Sequence, residues 1–296
     1  MKDSFTGYHP TVNLSYFVLV IAFSMILTHP VAQLMALTCA VAYSVSVDGK
    51  KSVMLLLKFC LPMVLLTALI NPVFNHEGMT VLYYFSSGNP LTLESVLYGV
   101  GAGVMLVTVL LWFSAFSRVM TSDKFIYLFG RVIPALSLVL SMSLRFVPKF
   151  KKQTETVVDA QRCIGRDIST GSLWQRFKMG VVILSIMITW ALENAIETAD
   201  SMKSRGYGLK GRTAFSIYRM DDRDKYALVW LGFCGLLLTA GVMLSAFEFR
   251  YFPSIRYAAI DMTTIPFYAV YFGLCITPVV LNFREERKWK TIYSKM

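Results

Sequence analysis

Two short stretches carry the side chains best placed to do chemistry. "ADSMKSRGYG", residues 199–208, closes an apolar-periodic segment with Ala199, Arg205 and Gly206. "AQRCIG", residues 160–165, closes another with Ala160, Arg162 and Gly165, and Arg166 follows. A guanidinium at a helix tip offers a planar fork of N–H donors that fits a carboxylate in a protein groove. The same residues also make an ordinary helix stop. A cation near a helix C-terminus is worth ~0.3–1 kcal/mol, and glycine is the usual residue just beyond the last turn. The repetition favours the first reading: two helices of one basic stretch are each Ala-led, Arg-bearing and Gly-stopped.

The remaining polar constellations are weaker. Glu193, Glu197 and Asp200 share one helix face at i, i+4 and i+7, but no histidine accompanies them. They read as a solvated face, or as salt-bridge partners for the basic helix before them. His9, His29 and His76 are isolated and have no zinc-ligand spacing. Five cysteines form no CxxC pair, and four of them lie in apolar runs as small hydrophobes. "GLKGRT", residues 208–213, lacks the GxxxxGK[ST] spacing of a phosphate loop and follows no strand. No cofactor, metal or nucleotide site is expected in this chain, so any ATP would be handled by a partner.

The elements that must position the two tips are helices in a membrane. The chain of 296 residues is 55% hydrophobic and 16% charged, with a mean hydropathy of +0.55. A soluble domain carries roughly 25% charge. The apolar runs do not alternate as membrane β-strands do, so the expected fold is an all-α polytopic membrane protein. Six spans are predicted, at about 12–28, 31–47, 52–73, 94–117, 226–246 and 264–282. The first residues lack a signal-peptide cleavage pattern and run into an apolar segment, which is expected to stay as the first span. Lys58 is the main ionisable residue within the spans. Buried midplane charge, which ion-coupled carriers need, is otherwise missing. That argues against the alternative class, a stand-alone channel or secondary carrier, and a membrane enzyme would lack a catalytic set.

The net charge of +11 is better matched to basic loops facing anionic lipid than to nucleic acid. With the N-terminus inside, the external loops hold only Arg250 and Arg256. Lys50, Lys51, Arg118, Lys124 and the tail "REERKWK" fall inside, so both termini are expected to be cytoplasmic. Three parts follow: residues 1–117 with spans one to four, a cytoplasmic or interfacial module at 118–225, and residues 226–296 with the last two spans and a basic tail. Fifteen of the 29 Lys and Arg residues lie between Arg145 and Lys225.

Three helices are predicted in the module. The first, 123–147, lies at the inner membrane surface. The second, 149–165, is amphipathic, with Phe150, Val157 and Ile164 on one face. The third, 173–205, opens on a capping box at Ser172 and Gln175. It carries Val181, Leu184, Ile188, Ala191, Ala195, Ala199 and Met202 at three- and four-residue spacing. Its apolar part, 179–192, is read as too short to cross. In the fourth span, Gly99 and Gly103 form a GxxxG that suggests close helix packing.

Ala160–Gly165 and Ala199–Gly206 together resemble the paired Ala-Arg-Gly motifs of the T component of energy-coupling factor transporters, a cobalt-transport (CbiQ-like) family. "LRFVPKF" (144–150) and "THPVAQL" (28–34) are similar to that family's segments at the corresponding places. The resemblance implies a non-catalytic scaffold of a bacterial or archaeal cell membrane that serves an ATP-driven importer of vitamins or transition-metal ions. It implies two ATP-binding cassette ATPase subunits as partners, contacted through Ala160, Arg162, Gly165, Arg166, Ala199, Arg205 and Gly206. It also implies a small substrate-binding membrane subunit resting on the apolar faces of coupling helices, with Val181, Leu184 and Ile188 as candidates. The family has Arg immediately before the first Gly, where this chain has Ile164, so either Arg162 or Arg166 fills that role.

Overall fold

A computed structural model describes residues 3–84, 90–166, 171–209, 218–258 and 261–293. The chain divides into two compact units, Met1–Phe125 with Tyr218–Met296, and Ile126–Ile217. Both are helical. Among the described residues the strands form two small antiparallel pairs in the first unit, β1 (Val81–Tyr84) with β2 (Pro90–Thr92) and β3 (Phe249–Arg250) with β4 (Arg256–Tyr257).

In the first unit, α1 (Pro10–Ile26) and α2 (Pro30–Asp48) begin in the same way. His9 and His29 are their N-caps, each ring Nδ1 accepting from the backbone N–H two residues on at 3.3 Å. Proline follows each histidine at N1, where its missing N–H costs nothing. Next come α3 (Lys50–Leu55), a π turn (Leu56–Cys60) and α4 (Leu61–Phe74). Pro62 explains the π turn: it has no N–H to donate and its ring crowds the preceding turn, which widens to take it. Lys58 sits in that turn, exposed.

Helix α5 (Leu93–Val119) packs on α4 through the GxxxG. A Cβ at Gly99 would lie 2.7 Å from the Thr67 carbonyl oxygen, and one at Gly103 would lie 2.9 Å from Val64 Cα. Only glycine allows the two backbones to approach so closely. Helices α9 (Asp222–Met243) and α10 (Ile265–Tyr293) complete the unit.

The core is aromatic. Tyr16, Phe17, Tyr43 and Trp112 are fully buried, and Phe5 joins them from a 3₁₀ turn at Ser4–Gly7. Ring pairs there meet edge to face at 5.1–6.4 Å, a favourable arrangement for π quadrupoles. Polar bonds bring the N-terminal turn onto four helices. Tyr43 donates to Asp3 at 2.8 Å, and Asn282 Oδ1 accepts from the backbone N–H groups of Ser4 and Phe5. Lys124 Nζ donates to the Thr6 carbonyl at 2.6 Å, and Arg223 reaches the Gly7 carbonyl at 3.3 Å. With its amide turned to satisfy its neighbours, Asn13 accepts from Lys124 at 2.7 Å.

The second unit holds most of α6 (Ser122–Val132), then α7 (Pro134–Cys163) and α8 (Leu173–Ser204). The three helices expected between the fourth and fifth spans are there, but the first boundary is misplaced in the sequence reading. The break falls at Ile133–Pro134, and α7 continues through Pro148. Pro134 occupies the first turn of α7, where proline starts a helix well, so the chain stops before it and restarts on it. Ser172 and Gln175 form the capping box of α8, at 3.4 and 2.9 Å.

Six of the described helices are long and apolar enough to cross a membrane, and one of them was not expected. Leu173–Ser204 qualifies, against the reading of residues 179–192 as too short, because the apolar character continues past Leu192 to Ile196 with only Glu193 charged. Pro10–Ile26, read as the first span, is the shorter helix at 17 residues. At 1.5 Å per residue it covers about 25 Å, against a hydrocarbon core of about 30 Å.

Candidate functional site

The candidate site is built on the ends of α7 and α8. The two helices run antiparallel where they meet. Lys149 Nζ donates to Asn194 Oδ1 at 2.9 Å, and Phe150 stands edge-on to Trp190 at 5.3 Å. Further along, Val157 packs against Ile183 and Met187, the three side chains that this pair buries. Because the helices are antiparallel, their C-terminal tips lie on opposite sides of the crossing.

The two tips share one backbone geometry. At the first, Ile164 is the C-cap and Gly165 has φ +79°. Gly165 N–H returns to Arg162 O and Arg166 N–H to Gln161 O, both at 2.9 Å. At the second, Arg205 is the C-cap and Gly206 has φ +81°. Gly206 N–H returns to Lys203 O and Tyr207 N–H to Met202 O, both at 3.0 Å. Each is a Schellman motif, with the 5→2 and 6→1 bonds closing on a left-handed glycine. Both glycines are therefore required by the backbone.

The side chains differ between the tips. Arg205 is an exposed C-cap residue, and the position it occupies is taken by exposed Ile164 in the first tip. Arg162 sits two residues before its C-cap, as Lys203 does before Arg205, and lies 3.6 Å from Asp159. Arg166 is exposed just beyond Gly165, where the second tip has Tyr207. Ala160 and Ala199 are exposed on the last turns. Cys163 is exposed beside the first tip, whereas Cys39, Cys60, Cys234 and Cys275 are buried in the first unit. Glu193, Glu197 and Asp200 lie exposed along α8 and make no ion pair among the described residues, in keeping with a solvated face.

Val181, Leu184 and Ile188 lie outside the buried seam and are 49–59% exposed. Leu184 and Ile188 join Phe150, Gly180 and Ala191 along a shallow apolar groove of about 360 Å³. Exposure continues along α8 at Leu173, Trp174, Phe177, Leu192 and Ile196. Ile164, expected on the face shared by Phe150 and Val157, lies beyond the helix and off that seam.

Three buried charges escaped the sequence reading, all at helix ends. Glu94 accepts from Thr80 N and Oγ1 at the start of α5. Asp224 accepts from His9 N at 3.2 Å at the start of α9, and Lys124 holds the N-terminal turn. Burial lowers the Lys124 pKa to about 8, with the Asp3 carboxylate pulling the other way. For two of them the signal was an acid in a first turn, Glu94 at the very start of the fourth predicted span and Asp224 just before the fifth. Among the described residues no group of three His, Cys, Asp or Glu side chains is arranged to hold a metal. "GLKGRT" lies largely outside the described residues.

An all-α chain with six described helices long and apolar enough to cross a membrane belongs to the class of polytopic helical membrane proteins. The chain is a member of the CbiQ family, cobalt transport protein, whose model matches residues 4–215. It is similar to the energy-coupling factor transporter transmembrane protein EcfT of Bacillus selenitireducens, 37% identical over 113 residues, which are 38% of this chain and 41% of that protein. EcfT of Lacticaseibacillus paracasei is 35% identical over 113 residues, 38% of this chain and 41% of that protein. EcfT 1 of Listeria monocytogenes is 34% identical over 110 residues, 37% of this chain and 40% of that protein. The matched stretch thus spans well under half the length of these relatives.

Proposed function

We propose that this chain is the T component of an energy-coupling factor importer, a non-catalytic scaffold that passes movement from ATPase subunits to a substrate-binding membrane subunit. The observation that carries the reading is the pair of Schellman-capped tips, alike in backbone and pointing to opposite sides of the α7–α8 crossing. Two tips of one geometry suit two like partners, here two ATP-binding cassette ATPase subunits. Arg205, fixed at a C-cap and exposed, is the principal contact, with Ala199 and Gly206 letting a groove close around it. At the first tip Ala160 and Gly165 play the same parts, with Arg162 and Arg166 as the available bases. The exposed stripe at Val181, Leu184 and Ile188 receives the small membrane subunit that holds the vitamin or transition-metal ion. Both tips face the cytoplasm, as do the N- and C-termini of this multi-pass protein of a bacterial or archaeal cell membrane.

A buried arginine–carboxylate pair costs ~2–5 kcal/mol to break, against under ~1 kcal/mol for a surface pair. Arg205→Glu should therefore abolish ATPase co-purification and uptake, while the variant still inserts at the wild-type level. Normal uptake by that variant would remove the assignment.

A further inference from the structure

The first unit carries a feature apart from the two helix tips. Between α9 and α10, at the end that carries the N-terminal turn, a slot of about 400 Å³ opens on the outer surface. Its outer walls are Tyr226 and Trp230 from α9 and Thr277 and Leu281 from α10, and Phe5, Tyr8, Val12 and Tyr16 of the aromatic core line its inner side. Tyr226 and Trp230 are 76% and 41% exposed, so the slot runs from the outer surface in to the core. Trp230 Nε1 donates to Thr277 Oγ1 at 3.4 Å and closes the floor. Arg223 and Arg284 stand at the other end. Each wall runs seven residues from arginine to floor, about 10 Å along the helix axis.

The charges at that end are unequally matched. Glu285 lies 3.6 Å from Arg223, Asp222 pairs with Lys225, and Glu286 pairs with Lys290. Asp224 is buried and accepts from His9 N and Asp221 N. Arg223 is held in place by the Tyr8 ring at 4.4 Å and the Gly7 carbonyl. Arg284 is exposed and has no carboxylate partner among the described residues. One guanidinium without a carboxylate partner thus stands at the mouth of an apolar channel, between helices whose apolar length fits them to cross a membrane.

We infer that this slot binds an anionic glycerophospholipid of the leaflet on the side of the chain termini. Its phosphodiester lies between Arg223 and Arg284, and the first carbons of one acyl chain fill the channel between Tyr226, Trp230 and Leu281. Apolar walls select the tail, and the unpaired guanidinium of Arg284 selects a headgroup without a compensating ammonium.

The test is native mass spectrometry of the full chain in a non-ionic detergent, with phosphatidylglycerol or phosphatidylcholine of identical acyl chains added. One phosphatidylglycerol should be retained per chain, preferred over phosphatidylcholine by roughly fivefold for the unmatched arginine. Arg284→Gln should erase that preference, Arg284→Lys should keep most of it, and Lys225→Gln should leave it unchanged. Glycerophosphoglycerol, the headgroup without tails, should not be retained. Equal retention of the two lipids by the wild type would overturn the inference. So would an unchanged preference in a normally eluting Arg284→Gln, or retention of the tail-less headgroup.

Discussion

The two units are held together by very different means. The first interlocks an aromatic core across five helices and ties the N-terminal turn to it with buried polar bonds. Among its described residues the second buries one thin seam, Val157 against Ile183 and Met187, with Phe150 and Trp190 beside it. A long helix with one buried stripe and many exposed apolar residues is not stabilised by its own seam alone. It needs other surfaces to cover it. The difference separates a body with a large core of its own from a pair of helices with a small one, in keeping with the scaffold and coupling roles proposed above.

The strongest way to break this contrast is to remove one large side chain from each unit. Trp112→Ala should cost about 3–5 kcal/mol and sharply lower the melting temperature of the detergent-solubilised protein. Trp190→Ala should leave that main transition in place and raise proteolysis of α7 and α8. A fall in the main melting temperature equal to that of Trp112→Ala would erase the distinction.

The next effect belongs to the first unit alone. Lys124 has its pKa lowered from 10.5 to about 8 by burial, so between those values the unfolded chain binds the proton that the folded chain has released. Stability should rise over that window, by up to about 3 kcal/mol, and stay flat below pH 8 where both states are charged. Tyr8 and Tyr218, raised above their ordinary 10.0 by burial, act in the opposite sense only near and beyond that value. Melting temperatures measured from about pH 7.5 to about pH 9.5 should climb in the wild type and stay level in Lys124→Met.

Smaller effects are expected at the tips. A side chain at Gly206 must adopt φ +81°, and its Cβ would lie 3.1 Å from Leu209 Cδ1. Gly206→Val should cost about 1–3 kcal/mol locally, loosening the last turn of α8 and reducing ATPase capture without moving the main unfolding transition. Smallest of all, Ile164→Arg should give the first tip the arginine C-cap of the second. ATPase affinity measured by titration should rise by under about 1 kcal/mol.

What could be read from the sequence was governed by short-range rules. Ser172 with Gln175, Gly99 with Gly103, and the glycines after both tips all act within three or four residues, so their spacing is their meaning. Proline was harder. Pro134 and Pro148 look alike in the sequence, yet one starts a helix and the other lies within it, and only the packing of the whole helix decides which. The contacts of Asp3 with Tyr43 and of Ser4 with Asn282 join distant parts of the chain and leave no periodic trace. The slot beneath Arg284 was hidden for the same reason, since each wall alone is an ordinary apolar helix. At the tips the repeated arginine and glycine were legible, whereas the identical pair of closing backbone bonds belongs to the folded chain and has no spacing of its own.

The buried seam has a mechanical consequence. Gly165 lies eight residues beyond Val157, and Arg205 lies eighteen residues beyond Met187. The two arms are therefore about 12 Å and about 27 Å long, a short lever and a long one. One turn of the crossing would carry the Arg205 tip about twice as far as the Gly165 tip, so equal pushes on the two tips would act with unequal leverage.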